Sequence, residues 1–114
     1  MAVLRVGLLP AEALAAAVRF HGEVLPGVRQ VLAETPPQLT LIFPPADHTH
    51  RAWRLAVVQG LAREYAPIRV NALVSDDAVA IAAAASYLEQ AEGVTGQLLP
   101  LDSHGAGKVV LSSQ

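Results

Sequence analysis

The chain of 114 residues contains no cysteine, few aromatic residues and no surplus of basic charge. Without cysteine there is no disulfide, thiolate metal site or cysteine nucleophile, which is typical of a reducing compartment, and we expect a cytoplasmic protein. The net charge of -2, with its scattered basic residues, gives no positive surface for nucleic acid. No apolar run approaches the ~20 residues of a membrane helix. Pro10 and Glu12 interrupt the apolar amino terminus, so we expect no signal peptide either.

Hydrophobic residues are abundant instead, at 53% of the chain against 16% charged residues. This composition indicates either a well-filled core or a buried surface for self-association. The length allows one domain with one core. We expect a single domain over residues 1–102, followed by a tail over 103–114 that forms a short extra strand or a swapped arm.

Short apolar runs alternate with longer helical patterns along the chain. The patterns predict strands at residues 2–9, 38–43, 68–74 and 96–101. They predict helices at residues 10–20, 26–34, 48–65 and 76–91, with Gly22 and Pro26 breaking the first helical stretch in two. The order βαβαβαβ is typical of an α/β fold built on a small four-stranded parallel sheet.

Residues that favour the first turn of a helix stand before three of the predicted helices. Pro10 suits the first position of the first helix because its missing amide has no partner there. Asp47 or Thr49 can accept hydrogen bonds from the free amides of the helix at 48–65. Ser75 or Asp76 can do the same for the helix at 76–91.

Two stretches, GLAREYAPIRVNAL (60–73) and GVTGQLLPLD (93–102), carry a family resemblance, with a fainter echo in VLPGVRQVLAETPPQLTLIF (24–43). The first resembles the segment of the short-chain dehydrogenase/reductase family in which the active-site helix runs into the next strand. The second is similar to the last strand of that family. The resemblance covers residues 24–102 and implies a Rossmann-like domain, in a truncated and degenerate relative that lacks the nucleotide-binding half.

The resemblance also implies where catalytic residues would stand. The family's tyrosine falls near Asp47, its lysine near Arg51, and its serine within residues 43–45, which are Phe, Pro and Pro. An aspartate with an ordinary pKa near 4 is a poor proton donor at neutral pH. The Pro-Gly pair that contacts nicotinamide in the family is replaced by Ser75 and Asp76. We therefore expect no catalytic residue, although the sequence alone leaves enzymatic activity open.

A phosphate loop needs closely spaced glycines between a strand and its helix. After the first predicted strand the chain reads LLPAEALAAA, where Gly7 lies within the strand and Glu12 would repel a phosphate. The tail segment HGAGK (104–108) has Val109 where a P-loop needs Ser or Thr. We expect no cofactor, and NAD(P) in particular is disfavoured.

Ligands of parallel α/β sheets gather beyond the carboxyl ends of the strands. The residues there form a candidate ligand cluster, namely Asp47, His48, His50, Arg51, Ser75 and Asp76. Together with His104, the histidines and Asp47 have the chemistry of metal ligands. Histidines two residues apart on a helix point in different directions, however, so we expect no metal.

Two strand orders remain open. The order 1-2-3-4 with right-handed crossovers puts every helix on one face, a two-layer arrangement that leaves the other face bare and calls for a homo-oligomer, most simply a dimer. Polar strand residues indicate that the bare face is partly wet, namely Arg5, Thr40, Arg69, Asn71 and Gln97. The order 2-1-3-4 places helices on both faces, in three layers, and removes the need for a partner.

Two functions follow. The first is a non-catalytic Rossmann-like module that acts as a homodimer or as the small partner of a larger reductase-like protein. The alternative is a protein that binds a nucleotide or small ligand, or an oxidoreductase, with an altered site at the strand ends. In that alternative Arg51 and the amides after Asp47 hold an anion, and Asp47 or His50 carries the proton.

Overall fold

The structure is a computed structural model that describes residues 2–101. The predicted tail over 103–114, with the metal-ligand candidate His104, lies outside the described residues. The elements are β1 (Val3–Arg5), α1 (Ala13–Arg19), a π turn (Phe20–Val24), α2 (Leu25–Ala33), β2 (Gln38–Phe43), a 3₁₀ turn (His48–His50), α3 (Arg51–Glu64), β3 (Arg69–Val74), α4 (Ala78–Gln90) and β4 (Leu98–Pro100). Within residues 2–101 no helix is both long and apolar enough to cross a bilayer.

The four strands form one parallel sheet in the order β1-β2-β3-β4. β2 and β3 pair along their whole length, from Gln38 opposite Arg69 to Phe43 opposite Val74. β1 and β4 are three-residue edge strands. The predicted α/β class and the order 1-2-3-4 are confirmed, and the order 2-1-3-4 is wrong.

One face of the sheet carries the larger core. Leu39, Leu41 and Phe43 of β2 are fully buried and pack with Phe20 of the π turn and Val58 of α3. Strand side chains alternate between faces, so these odd-numbered positions of β2 all point the same way. The connections from β1 to β2 and from β2 to β3 therefore lie on this face.

The opposite face is covered by α4. Ile42 and Leu73 point to this side and pack against Ile81, Ala85 and Leu88 of α4. The prediction that all helices share one face, leaving the other bare, is wrong, and the sheet has helices on both sides as in a three-layer fold. Because β1 to β4 advance in one direction, the β3-α4-β4 crossover has the opposite hand to the first two. At least one of the three connections thus departs from the right-handed rule on which the prediction rested.

Of the five polar strand residues named from the sequence, Thr40 and Asn71 are buried beneath α4, Arg69 is half-buried, and Arg5 and Gln97 are exposed. Thr40 and Asn71 have no exposed surface, and the Thr40 hydroxyl donates to Gln38 Oε1 at 3.0 Å. Arg69 donates through Nη1 to the carbonyls of Leu88 and Ala91, both at 2.8 Å, at the carboxyl end of α4. The Leu88 and Ala91 carbonyls also accept from the amides of Ala91 and Val94, at 3.3 and 3.0 Å. The guanidinium adds a charged donor that complements the negative end of the helix dipole.

The predicted break between the first two helical stretches is a π turn over Phe20–Val24. Buried residues recur every four positions across it, at Ala16, Phe20, Val28 and Leu32 with half-buried Val24 between them. In a straight helix of 3.6 residues per turn, a four-residue repeat drifts by about 40° per step. The π turn has more residues per turn, which compensates for part of that drift and keeps these buried residues facing the sheet. Gly22 and Pro26 are therefore accommodated without ending the helix.

Other helix and strand ends differ from expectation. α1 begins at Ala13 with Glu12 as its cap, accepting from the Ala15 amide at 3.2 Å, so Pro10 lies before the helix. β1 ends at Arg5, which places Gly7 beyond the strand. Asp77, not Ser75 or Asp76, caps α4, where its carboxylate accepts from the amides of residues 79 and 80. The Ser75 hydroxyl instead accepts from the Asp77 amide at 2.9 Å.

Candidate functional site

A pocket of about 210 Å³ opens beyond the carboxyl ends of β1 and β2. Its walls are the segments after the two strands, residues 8–11 and 44–47, and its remaining lining comes from His50 and Arg54. Leucine, alanine and proline make up most of the two segments. The pocket therefore combines an apolar wall with three titratable side chains, those of Asp47, His50 and Arg54. We call it the strand-end pocket.

Asp47 is placed by its role as a helix cap. Its carboxylate accepts from the Thr49 amide at 2.9 Å and also from the Thr49 hydroxyl. These hydrogen bonds, the hydroxyl first, lower the pKa of Asp47 below its usual value. The cap predicted at this residue is confirmed. A carboxyl whose pKa is lowered is ionised at neutral pH and has no proton to donate there.

His50 is a packing residue with only 5% of its surface exposed. The indole of Trp53 donates to His50 Nδ1 at 3.2 Å, and His50 Nε2 lies 2.9 Å from the carbonyl oxygen of Ala11. Because Nδ1 accepts, the proton must sit on Nε2 and donate to Ala11. Both ring nitrogens are occupied by these contacts, so the imidazole links Trp53 of α3 to the segment after β1.

Arg54 is the least expected member of the strand-end pocket. Only 4% of its surface is exposed, and its Nη1 donates to the Pro44 carbonyl at 2.9 Å. Its guanidinium carbon lies 4.6 Å from the centre of the Phe43 ring and 5.7 Å from that of Trp53. Burial lowers the pKa of Arg54. Its Nε is buried without a hydrogen-bond partner, and no carboxylate in residues 2–101 forms an ion pair with it.

The structure divides the predicted ligand cluster. Asp47 and His50 line the strand-end pocket, whereas His48 and Arg51 are exposed and do not. Ser75 is buried within the turn before α4 and Asp76 is exposed, and neither lines the pocket. Over the part of the chain that the structure describes, no three histidine or acidic side chains are grouped to hold a metal ion.

The sequence did contain a signal for Arg54. His50, Arg54, Val57, Val58 and Leu61 are the buried residues of the 3₁₀ turn and α3. Their spacing of three and four residues marks one face of a helix. A charged residue within such an apolar stripe is rarely buried without a partner and is therefore a candidate for binding. Arg51, three residues earlier, was predicted as a site residue because it stands near the position of the family's lysine.

A parallel sheet with helices on both faces, and a pocket beyond the carboxyl ends of its strands, defines a Rossmann-like α/β domain. A family model described as SDR-like, short chain dehydrogenase-like protein, matches residues 4–101. The chain belongs to this family, which confirms the resemblance in its sequence. Comparison with the curated proteins gives no match, and comparison with solved structures gives none.

Proposed function

We propose that this short chain dehydrogenase-like domain is a non-catalytic module that acts as a homodimer in the cytoplasm. The non-catalytic role is supported mainly by Asp47, which stands near the position that the resemblance gives to the catalytic tyrosine. Its carboxylate is engaged as a helix cap and has a lowered pKa. Arg51, at the lysine position, is exposed and lines no part of the strand-end pocket.

The remaining family positions support the same conclusion. Phe43, where the segment of the family serine begins, is fully buried and packs its ring against Phe20, Trp53 and Arg54. Ser75 accepts a hydrogen bond from the Asp77 amide and thereby shapes the turn before α4. These side chains have structural partners in place of a dinucleotide, and we propose that the domain binds no NAD(P).

The homodimer is proposed from a concentration of exposed apolar residues near the amino terminus. Of the six large exposed hydrophobic residues within 2–101, four lie between residues 3 and 18: Val3, Leu8, Leu14 and Val18. Leu14 and Val18, 75% and 73% exposed, are one turn apart on α1 and share a face. We call this pair the α1 ridge. It borders a shallow groove that also includes Arg19 and Glu23.

The charges beside the α1 ridge favour a second copy as the partner. Arg19 and Glu23 form an ion pair of 3.6 Å, so the patch carries one charge of each sign. A symmetric dimer brings a patch against itself, and a patch with both signs is complementary to its own copy. Within residues 2–101, β1 is an edge strand with no neighbour on its outer side. An exposed ridge, balanced charge and a free edge together support self-association.

The test of the dimer compares Val18→Glu with Val79→Glu. Val79 is a matched control because it is 78% exposed, lies in α4, and takes the same substitution. Light scattering coupled to size exclusion should give a dimer for the wild type and for Val79→Glu, and a monomer for Val18→Glu. A monomeric wild type at high concentration, or dissociation by Val79→Glu alone, would contradict the proposed interface.

The non-catalytic part is tested by calorimetric titration with NADH and NADPH up to millimolar concentration. We expect no saturable heat. Saturable binding would contradict the proposal and would make Asp47 and Arg51 the first residues to replace.

A further inference from the structure

We propose that the strand-end pocket binds a small aliphatic monocarboxylate, with Arg54 as its counter-ion. Desolvating a guanidinium is costly, and proteins compensate with a carboxylate or with hydrogen bonds to every donor. Arg54 has neither in full, since its Nε has no partner and no acidic residue of residues 2–101 pairs with it. A bound anion would supply the missing charge.

The contacts of Arg54 hold the cation in position beside the pocket. Nη1 donates to the Pro44 carbonyl, and the guanidinium lies over the Phe43 ring. A side chain held in this way loses little further freedom when it binds a ligand, which favours affinity. Arg51, on the same helix, is exposed and makes neither of these contacts.

The lining of the pocket selects the ligand class. Asp47 is ionised and lines the same pocket, so one anionic charge opposite Arg54 is favoured over the two of a phosphate dianion. Leu9, Pro10 and Pro45 are among the apolar lining residues and suit a hydrocarbon body. The volume of about 210 Å³ lies below the range typical of drug-sized ligands and admits only a short acid.

The experiment uses the single tryptophan of the chain as its reporter, because Trp53 lies 5.7 Å from the Arg54 guanidinium. Its fluorescence is followed while butyrate, or its neutral isostere butyramide, is added at constant ionic strength. We expect a saturable change with butyrate and none with butyramide. Equal responses to the two compounds, or no response to either, would overturn the proposal, and this comparison needs only the native protein.

Two variants then locate the charge. Arg54→Met should weaken butyrate binding by about tenfold or more, the loss expected for a charge-assisted hydrogen bond. Arg51→Met removes an exposed arginine of the same helix and should leave binding within about twofold. Circular dichroism establishes that each variant is folded. Loss of binding in Arg51→Met but not in Arg54→Met would refute the assignment.

A carboxylate can also come from the end of a peptide. N-acetylalanine, which carries the carboxylate beside an amide, is therefore titrated in parallel with butyrate. We expect it to bind more weakly, because the pocket wall is mainly apolar. Tighter binding of N-acetylalanine would overturn the assignment to a free acid and would point to a chain terminus as the ligand.

Discussion

Asn71 should be one of the most sensitive positions in the protein. It has no exposed surface, donates through Nδ2 to the Val94 carbonyl at 3.0 Å, and accepts from the Gln97 amide at 3.0 Å through Oδ1. It thus ties the connection after α4 to the middle of β3. Asn71→Ala removes both hydrogen bonds and leaves their partners unsatisfied, at roughly 1–2 kcal/mol each, so we expect a total of about 2–4 kcal/mol.

Urea unfolding at fixed protein concentration measures this loss. For a domain of this size it corresponds to a fall in Tm of about 10 °C or more. Gln30→Ala, which removes an exposed amide on α2, is the matched control and should change stability by less than about 0.5 kcal/mol. If Asn71→Ala costs no more than this control, the reasoning from the two hydrogen bonds is wrong.

A second substitution at the same site separates donor from acceptor. Asn71→Asp keeps the acceptor for the Gln97 amide but turns a carboxylate oxygen toward the Val94 carbonyl. Burial raises the pKa of the introduced carboxyl above its unfolded value near ~3.9, because it disfavours the charged form. The protonated carboxyl therefore contributes its full stabilisation below the unfolded pKa. This contribution is lost as pH rises through the folded pKa. Relative to the wild type, Asn71→Asp should be most destabilised at neutral pH and recover in acid.

Two further predictions concern helix caps, with Asp76 as a shared control because it is exposed and caps neither helix. Asp77→Ala should cost about 1 kcal/mol in urea unfolding, since its carboxylate satisfies two amides of α4, whereas Asp76→Ala should be near neutral. Asp47→Asn should remove part of the acid sensitivity of folding. The lowered pKa of Asp47 means that its contribution is present above the unfolded value near ~3.9 and is lost as pH falls through the folded pKa. The stability difference between wild type and Asp47→Asn should therefore shrink in acid, and a difference independent of pH, or one matched by Asp76→Asn, would contradict this.

The sequence predicted the central elements well because their signals are local. QLTLIF is a short, mainly apolar segment bounded by proline pairs, and β2 occupies the predicted residues, Gln38–Phe43. Asp47 precedes a helix and caps it as expected. These predictions required no knowledge of how distant residues pack. The strand order, by contrast, stayed open between 1-2-3-4 and 2-1-3-4 until the pairing of β1 with β2 was seen.

The predictions were wrong where contacts between distant residues determine the structure. The side of the sheet on which α4 lies is set by the burial of Ile42 and Leu73 beneath it, which periodicity within α4 does not reveal. Glycine and proline near the first helix predicted a break, whereas the four-residue spacing of its buried residues is satisfied by a π turn. Of the six predicted cluster residues only Asp47 and His50 line the strand-end pocket, and Arg54 was missed because a helix face rather than a motif identifies it.

The two faces of the sheet give the molecule a form of modularity. The strand-end pocket and the α1 ridge both belong to the side covered by α1, α2 and α3, while α4 packs on the other side of the same strands. Side chains on opposite faces do not touch across the sheet, so the effects of substituting them should largely add. The outer surface of α4, with Val79 and Tyr87 exposed, can therefore be altered or used to attach a label without disturbing the pocket.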